Sequence, residues 1–230
     1  VDFVVVGRHL ESASQLWTSW GQAAAPTQAD AQSARFSMTI PADVPLGIQA
    51  VRVLSPGGVS ELQLFVIDDL AAALEGSGDG SVETPQPLNL PCAVDGRIEK
   101  LTRDVYRFEA RAGERLSIEV LARRLGSPLD PALFLYRQDG RELAYADDTE
   151  GLSGDAQMCH TFDHDGTYVL EVRDIRYEGG DRHVYRLRIG DFPCVNVPFP
   201  MGVRRGERTR IDFAGLSVDD ANPAWSHVPA

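Results

Sequence analysis

Hydrophobic and polar residues alternate along most of this chain. Apolar side chains occupy roughly every second position in a series of short stretches, namely residues 1–6, 36–40, 49–54, 61–67, 106–110, 115–121, 167–172 and 183–189. A period of two is typical of a β-strand that buries one face. The stretch 68–74 has a briefly helical pattern, but it is too short to be stable as an isolated helix.

Turn-forming pairs lie between several of these stretches, as at Asp139-Gly140, Asp165-Gly166 and Gly179-Gly180. Glycine adopts a positive φ at little cost, and aspartate readily binds its own backbone. Many short strands joined by such turns, with almost no helix, predict an all-β protein built from β-sandwiches rather than an α/β sheet.

A polar segment divides the strand pattern in two. Residues 75–87, EGSGDGSVETPQP, are rich in glycine and proline and have no apolar period. This composition is typical of a linker. The sequence therefore predicts a first module over residues 1–70, a linker over 71–87 and a second module over 88–192.

The remaining residues, 193–230, contain a short internal repeat. Gly7 and Trp17 have the same spacing as Gly215 and Trp225, and Ala13 matches Ala221. Three identical residues at the same spacing can also arise by chance, which is the alternative explanation. If the repeat is real, residues 193–230 begin a further copy of the first module. The expected partners are then neighbouring modules of the same long polypeptide, or further copies joined head-to-tail.

The charge balance and the motif content exclude several classes of function. The 230 residues include 34 acidic and 22 basic side chains, a formal net charge of −12. Such a surface repels phosphate backbones, so nucleic acid is not an expected partner. No membrane span is expected in this segment, and an export signal would lie outside it. No hydrolase, zinc-protease, phosphate-loop or dinucleotide motif is present, so an enzyme is not expected.

A series of short motifs in the second module points to a known family. They read VDGRI at 94–98, DVYRF at 104–108, AGERL at 112–116, LGSPLDPALFLY at 125–136, ELAYADD at 142–148, GTYVLEVRD at 166–174 and YRLRIGDFP at 185–193. In this order, residues 88–192 resemble the bacterial pre-peptidase C-terminal domain family, in the form found in large planctomycete-type extracellular proteins.

The first module resembles the immunoglobulin-like, TIG-type module that often precedes this family. The resemblance lies in the Leu16-Trp17 pair, in IPADVPLG at 40–47 and in SPGGVS at 55–60.

Together these resemblances imply an immunoglobulin-like sandwich followed by a jelly-roll-like sandwich, without an active site, in an extracellular or cell-surface protein. Some relatives bind calcium, and some bind collagen or polysaccharide. We therefore expect a structural and adhesive module pair of a larger secreted protein. The alternative is a carbohydrate- or protein-binding module that targets an attached secreted enzyme to its polymer substrate.

An acidic loop follows the predicted strand 143–146. Its carboxylates belong to Asp147, Asp148, Glu150 and Asp155. Calcium takes six to eight oxygen ligands, and a glycine-containing acidic loop can supply several of them. These four residues are therefore the candidate calcium ligands. In the alternative interpretation, Asp147 and Asp148 cap turns through nearby backbone N–H groups.

Two further predictions concern aromatic residues and cysteines. Tyr177, in the polar loop RDIRYEGGDRH, is the best candidate for an exposed ligand contact, whereas Phe134 and Tyr136 lie in an alternating strand and are expected in the core. Cys92 and Cys194 bracket the second module, so they are the expected disulfide pair, with Cys159 left as a thiol.

Overall fold

The computed structural model describes residues 1–76 and 84–215, together with the backbone of 224–227. The chain divides into two compact units, Val1–Asp69 and Leu70–Ala230. Strands account for the regular structure of the described residues apart from one 3₁₀ turn, so the prediction of an all-β protein is confirmed. In this part of the chain no helix is long and apolar enough to cross a membrane.

The first unit is a two-sheet sandwich. Its strands are β1 (Asp2–Val6), β2 (Gln15–Thr18), β3 (Ala23–Ala24), β4 (Pro26–Ala29), β5 (Ser33–Ser37), β6 (Gly47–Ser55), β7 (Gly58–Val59) and β8 (Gln63–Ile67). One sheet has the order β1-β5-β4, and the other has the order β3-β2-β6-β7 with β8 also paired to β6. Both sheets contribute to one core, in which Phe36 of β5 packs in a cluster with Leu16 of β2 and Val53 of β6.

The second unit contains a larger sandwich of two five-stranded sheets. Its strands are β9 (Ala71–Leu74), β10 (Gln86–Pro87), β11 (Cys92–Arg97), β12 (Asp104–Ala110), β13 (Arg115–Leu121), β14 (Pro131–Arg137), β15 (Glu142–Ala146), β16 (Gln157–Thr161), β17 (Gly166–Asp174) and β18 (Val184–Gly190), with the 3₁₀ turn at Arg123–Leu125. The sheet β10-β12-β17-β14-β15 is called the front sheet here, and the sheet β16-β13-β18-β11-β9 the back sheet.

The alternating pattern decides which side chains fill the space between the two sheets. Leu133 and Leu170 of the front sheet and Ile118 and Leu187 of the back sheet are fully buried in one core. Because successive side chains of a strand point to opposite faces, the residues next to these in sequence lie on the outer faces of the sandwich. The outer face of the front sheet carries the candidate functional site.

The predicted linker is partly built into the second sandwich. Residues 71–74 form β9, which pairs in parallel with β11, and residues 86–87 form β10, which pairs in parallel with β12. The helical pattern at 68–74 is thus overridden, because this segment extends the edge of the back sheet. Residues 77–83 lie outside the described part of the chain.

The tail forms a small antiparallel sheet with strands β19 (Val197–Phe199), β20 (Arg208–Ala214) and β21 (Ala224–His227), in the order β19-β20-β21. Strand β20 therefore has a partner on each side. Most of the proposed repeat at 215–225 falls outside the described residues, so the repeat stays a prediction.

The predicted Cys92–Cys194 disulfide is not present, since all three cysteines carry thiols. The physical reason is that the two side chains lie on opposite sides of the back sheet. Cys92 belongs to the core between the sheets. Cys194 lies against the hydroxyl of Ser117, which alternates with core residues of β13 and so faces outward.

Candidate ligand-binding face

Three aromatic rings lie side by side on the outer face of the front sheet. The ring centroids of Phe134 and Tyr145 are 4.8 Å apart, and those of Phe134 and Tyr136 are 6.4 Å apart with nearly parallel planes. Phe134 and Tyr136 were expected in the core, and this prediction is wrong. They point outward because Leu133 and Leu135, their neighbours in β14, point into the core.

Arg173 extends this row toward Tyr177. Its guanidinium carbon lies 4.5 Å from the ring centroid of Phe134 and 4.7 Å from that of Tyr177, so it is held between two rings by cation–π attraction. Its Nε also lies 3.2 Å from the Glu171 carboxylate. Phe134, Tyr136, Tyr145, Arg173 and Tyr177 are called the aromatic row below.

The loop that carries Tyr177 is fixed by a buried carboxylate. Oδ1 of Asp174 accepts hydrogen bonds from the backbone N–H groups of Arg176, at 2.8 Å, and Glu178, at 3.0 Å. Tyr177 itself adopts a positive φ of 56°. Its side chain is exposed, as the polar sequence of its loop predicted.

A groove of about 380 Å³ lies beside the row and shares Tyr136 with it. Arg103, Arg107, Arg137 and Glu171 supply its charged lining. Arg103 lies 3.2 Å from the Glu171 carboxylate and Arg137 pairs with Asp139, so Arg107 leaves the groove with an excess of positive charge. Flat rings beside hydrogen-bonding groups are suited to the apolar faces of sugars, and guanidinium groups bind carboxylates.

Three carboxylates meet at one end of the hairpin formed by β14 and β15. Asp130, Asp147 and Asp148 each place an oxygen within 4.8 Å of the others, and they are called the acidic cluster below. Oδ1 of Asp147 is buried without a hydrogen-bond partner among the described residues. Arg123 Nη2 lies 2.8 Å from Oδ1 of Asp130, and the guanidinium of Arg176 is a second cation that acts on the Asp130 carboxyl group. Burial raises the pKa of Asp130, and Arg123 acts in the opposite direction.

The structure brings together only two of the four predicted calcium ligands. Asp147 and Asp148 belong to the acidic cluster, whereas Glu150 is exposed outside it. Asp155 is fully buried and has another role. Its carboxylate accepts hydrogen bonds from the backbone N–H of Arg123, at 2.7 Å, and from Arg124 Nε, at 2.7 Å, and so anchors the 3₁₀ turn.

Asp130 was not among the predicted ligands, because it lies seventeen residues before Asp147 in a different loop. A signal was available in the sequence. The turn at Asp139-Gly140 predicts a hairpin, and in the structure Leu133 pairs with Ala146 across it. The residues just before β14 and just after β15 must therefore meet at the same end of the hairpin.

A second polar cluster is buried where strands β12 and β18 begin. The Tyr185 hydroxyl donates a 2.6 Å hydrogen bond to Oδ2 of Asp104, and the hydroxyl oxygens of Tyr185 and Tyr106 are 2.5 Å apart. Burial raises the pKa of Asp104 to about 8, the Tyr185 hydrogen bond acts against this, and the charge of Glu75 adds to it. Asp104 therefore holds a proton at neutral pH.

The central part of the second unit is similar to a known protein family. Residues 102–174 match the family model of the bacterial pre-peptidase C-terminal domain. This part of the expected resemblance is confirmed. The match includes Phe134, Tyr145 and Arg173 of the aromatic row and ends before Tyr177. The TIG-type first module and the planctomycete-type context stay predictions.

Several known proteins are similar to parts of this chain, which spans 9% of the curated relative that it matches. A probable subtilase-type serine protease of Deinococcus radiodurans is 39% identical over 70 residues, which are 30% of this chain and 9% of that protein. The pre-peptidase C-terminal domain of a Bacillus anthracis collagenase is 19% identical with a TM-score of 0.34, over 46% of this chain and 94% of the domain. The secreted serine protease VesC of Vibrio cholerae is 15% identical with a TM-score of 0.30, over 83% of this chain and 42% of VesC.

Proposed function

We propose that this chain is a non-catalytic module pair of a larger secreted protein, and that the aromatic row and its groove bind an extracellular polysaccharide. The row carries the proposal, because it places several rings on the outside of a sheet whose inner face already fills a core. Tyr145 and Tyr177 are exposed and Phe134 and Tyr136 are half-buried, and a contiguous apolar group that reaches the surface is typical of a binding surface.

The row is preorganised for binding. Arg173 is held between Phe134 and Tyr177, and the loop of Tyr177 is fixed by Asp174, so these side chains lose little freedom when a ligand arrives. The excess of arginine in the groove favours a polymer with carboxylate groups, even though the whole chain carries a net charge of −12. A polyuronate is therefore the preferred ligand class over a neutral glucan.

The non-catalytic assignment rests on the family match over residues 102–174 and on the lack of a catalytic motif in the sequence. The extracellular assignment rests on the same match and on the similarity to a probable subtilase-type serine protease. The matched segment is 9% of that protease, so in that protein most of the chain lies outside the matched module. This arrangement favours a second candidate function. In this alternative, the chain targets an attached secreted enzyme to the polymer that the enzyme degrades.

Calcium stabilisation of this face is part of the proposal. Asp130, Asp147 and Asp148 would hold the ion, and water would supply the remaining oxygens. The residues fit a divalent cation, because three carboxyl groups meet there and Oδ1 of Asp147 lacks a hydrogen-bond partner in the described part of the chain. Bound calcium would neutralise these charges and fix the end of the β14–β15 hairpin.

Affinity electrophoresis in gels containing polygalacturonate, alginate, laminarin or soluble collagen tests the polymer assignment. We expect retardation by the two polyuronates, and its loss in Tyr177→Ala and Tyr145→Ala. Trp17→Ala is the matched control, since Trp17 is a 40% exposed aromatic residue of the first unit. Retardation by collagen alone, or equal retardation of all variants, would contradict the proposal.

A further inference from the structure

Ser117 is the common neighbour of two thiols on the outer face of the back sheet. In the antiparallel pairing of β13 with β16, Ser117 lies directly opposite Cys159. Directly opposite residues of an antiparallel pair share one face, with Cβ atoms about 5 Å apart. Met158 and Ile118, the adjacent pair, belong to the core, so Ser117 and Cys159 point outward.

Cys194 reaches the same place from the end of the sandwich. After β18 the chain turns over the outer face of the back sheet, where the Ser117 hydroxyl donates a 2.6 Å hydrogen bond to the carbonyl of Phe192. The Arg188 guanidinium lies 4.3 Å from the ring centroid of Phe192 and holds this segment down. The side chain of Cys194 is fully buried there and contacts the Ser117 hydroxyl. Residues 191–196 are called the strap below.

We propose that Cys159 and Cys194 form a disulfide that fastens the strap to the edge strand β16 when the protein meets a small-molecule disulfide such as oxidised glutathione. The Cys159 thiolate attacks one sulfur of the oxidant and releases one glutathione thiolate. The Cys194 thiolate then attacks Sγ of Cys159 and releases the second. The two protein thiols lose two protons and two electrons, and the oxidant is reduced to two thiols.

The order of these steps follows from exposure. Cys159 is half-buried at a sheet edge and meets the oxidant first, whereas Cys194 is fully buried. Burial raises the pKa of the Cys194 thiol to about 11, and the nearby Cys159 adds to this while the hydrogen bond with Ser117 opposes it. The second step is therefore slow at neutral pH and accelerates as the pH rises, because the thiolate is the attacking species.

The bond would have a structural consequence for the parent protein. The strap connects β18 to the small sheet of β19, β20 and β21, so it determines how the chain leaves the second sandwich. Cys92 takes no part, because its thiol lies in the core on the other side of the back sheet.

Thiol counting and peptide mapping of the full chain test this inference. The reduced protein is incubated with oxidised glutathione at pH 7 and at pH 9, then unfolded, titrated for thiols and digested without reduction. We expect three thiols to fall to one, faster at pH 9, with one linked peptide pair containing Cys159 and Cys194. Cys92→Ser should form the same link, and Cys194→Ser should retain glutathione on Cys159.

The wild-type peptide map decides the outcome without depending on the folding of any variant. A link that includes Cys92, a stable glutathione adduct on Cys159 of the wild-type protein, or three remaining thiols at pH 9 would each overturn the proposal.

Discussion

The hydroxyl of Tyr145 donates a 2.8 Å hydrogen bond to Oδ2 of Asp147. Through this contact the aromatic row and the acidic cluster are parts of one surface. A cation that binds Asp147 would also fix the ring of Tyr145, which lies 4.8 Å from the ring of Phe134. We therefore expect millimolar calcium to strengthen polymer binding in the wild-type protein, and Tyr145→Phe to lose most of this dependence while it retains binding. The measurement is affinity electrophoresis with calcium or with a chelator.

Calcium should raise the melting temperature of the second unit. A ligand that binds the native state stabilises it in proportion to the logarithm of its concentration. Asp147→Asn and Asp148→Asn should abolish the rise, because each removes one charge from the acidic cluster. Glu150→Gln is the matched control and should retain it, since Glu150 is exposed outside the cluster. A scanning calorimetry trace that millimolar calcium leaves unchanged in the wild-type protein would argue against the site.

Asp155→Asn should destabilise the second unit by ~3 kcal/mol, because it leaves the largely buried Arg124 without its closest carboxylate partner. The loss should be the same with calcium and with chelator, measured by urea unfolding. If Asp155 were instead a calcium ligand, as its sequence position suggested, the loss would appear only with calcium. Glu150→Gln should stay within about 0.5 kcal/mol of the wild-type protein.

Asp104 should make the second unit less stable as the pH rises. Its folded pKa of about 8 lies above the ordinary value of 3.8, so the folded state retains a proton that the unfolded chain releases. This stabilisation is complete below the unfolded pKa and is lost as the pH rises through 8, with a slope of up to about 1.4 kcal/mol per pH unit between the two values.

Asp104→Asn should remove that slope. An asparagine side chain can still accept the hydrogen bond from Tyr185, but it does not titrate. Urea unfolding at pH 5, 6, 7 and 8 measures the difference between the two proteins, and Asp95→Asn, which changes a half-exposed aspartate of the same sandwich, should leave the slope in place. Parallel pH profiles for the wild-type protein and Asp104→Asn would show that Asp104 is not the titrating group.

Gly96→Ala should cost about 1–3 kcal/mol of stability through overpacking. A Cβ atom at Gly96 would lie 2.5 Å from the hydroxyl oxygen of Tyr185, which is held in place by Asp104 and Tyr106. Gly166→Ala is the control, because a Cβ there would meet no atom within 4 Å. Equal urea midpoints for the two variants would mean that the Tyr185 ring is free to move.

The alternation of apolar and polar residues was sufficient to predict β-sandwiches. It was not sufficient to predict whether each aromatic side chain faces the core or the outer face of its sheet. Phe134 and Leu133 have similar hydrophobicity, and only the register of β14 against β17 and β15 determines which of them faces the core. The polar composition of the loop around Tyr177 did predict its exposure, because burying a segment with so many charged side chains would cost their hydration.

Contacts between residues that are distant in sequence were harder to predict. Asp130 joins Asp147 through the hairpin, and Cys194 approaches Cys159 through Ser117, so both pairs depend on strand register rather than on spacing along the chain. Asp155 looked like a metal ligand because it lies in the same acidic loop. In the folded chain its carboxylate is instead used by the backbone of the 3₁₀ turn and by Arg124.

Chemical-shift mapping of the isotopically labelled chain with a galacturonate or alginate oligosaccharide tests the polymer-binding face most directly. We expect the largest chemical-shift changes in the aromatic row, especially at Tyr145, Arg173 and Tyr177, and at the arginines of the adjoining groove. Changes confined to the first unit or to the outer face of the back sheet, or no changes at millimolar oligosaccharide, would contradict this expectation.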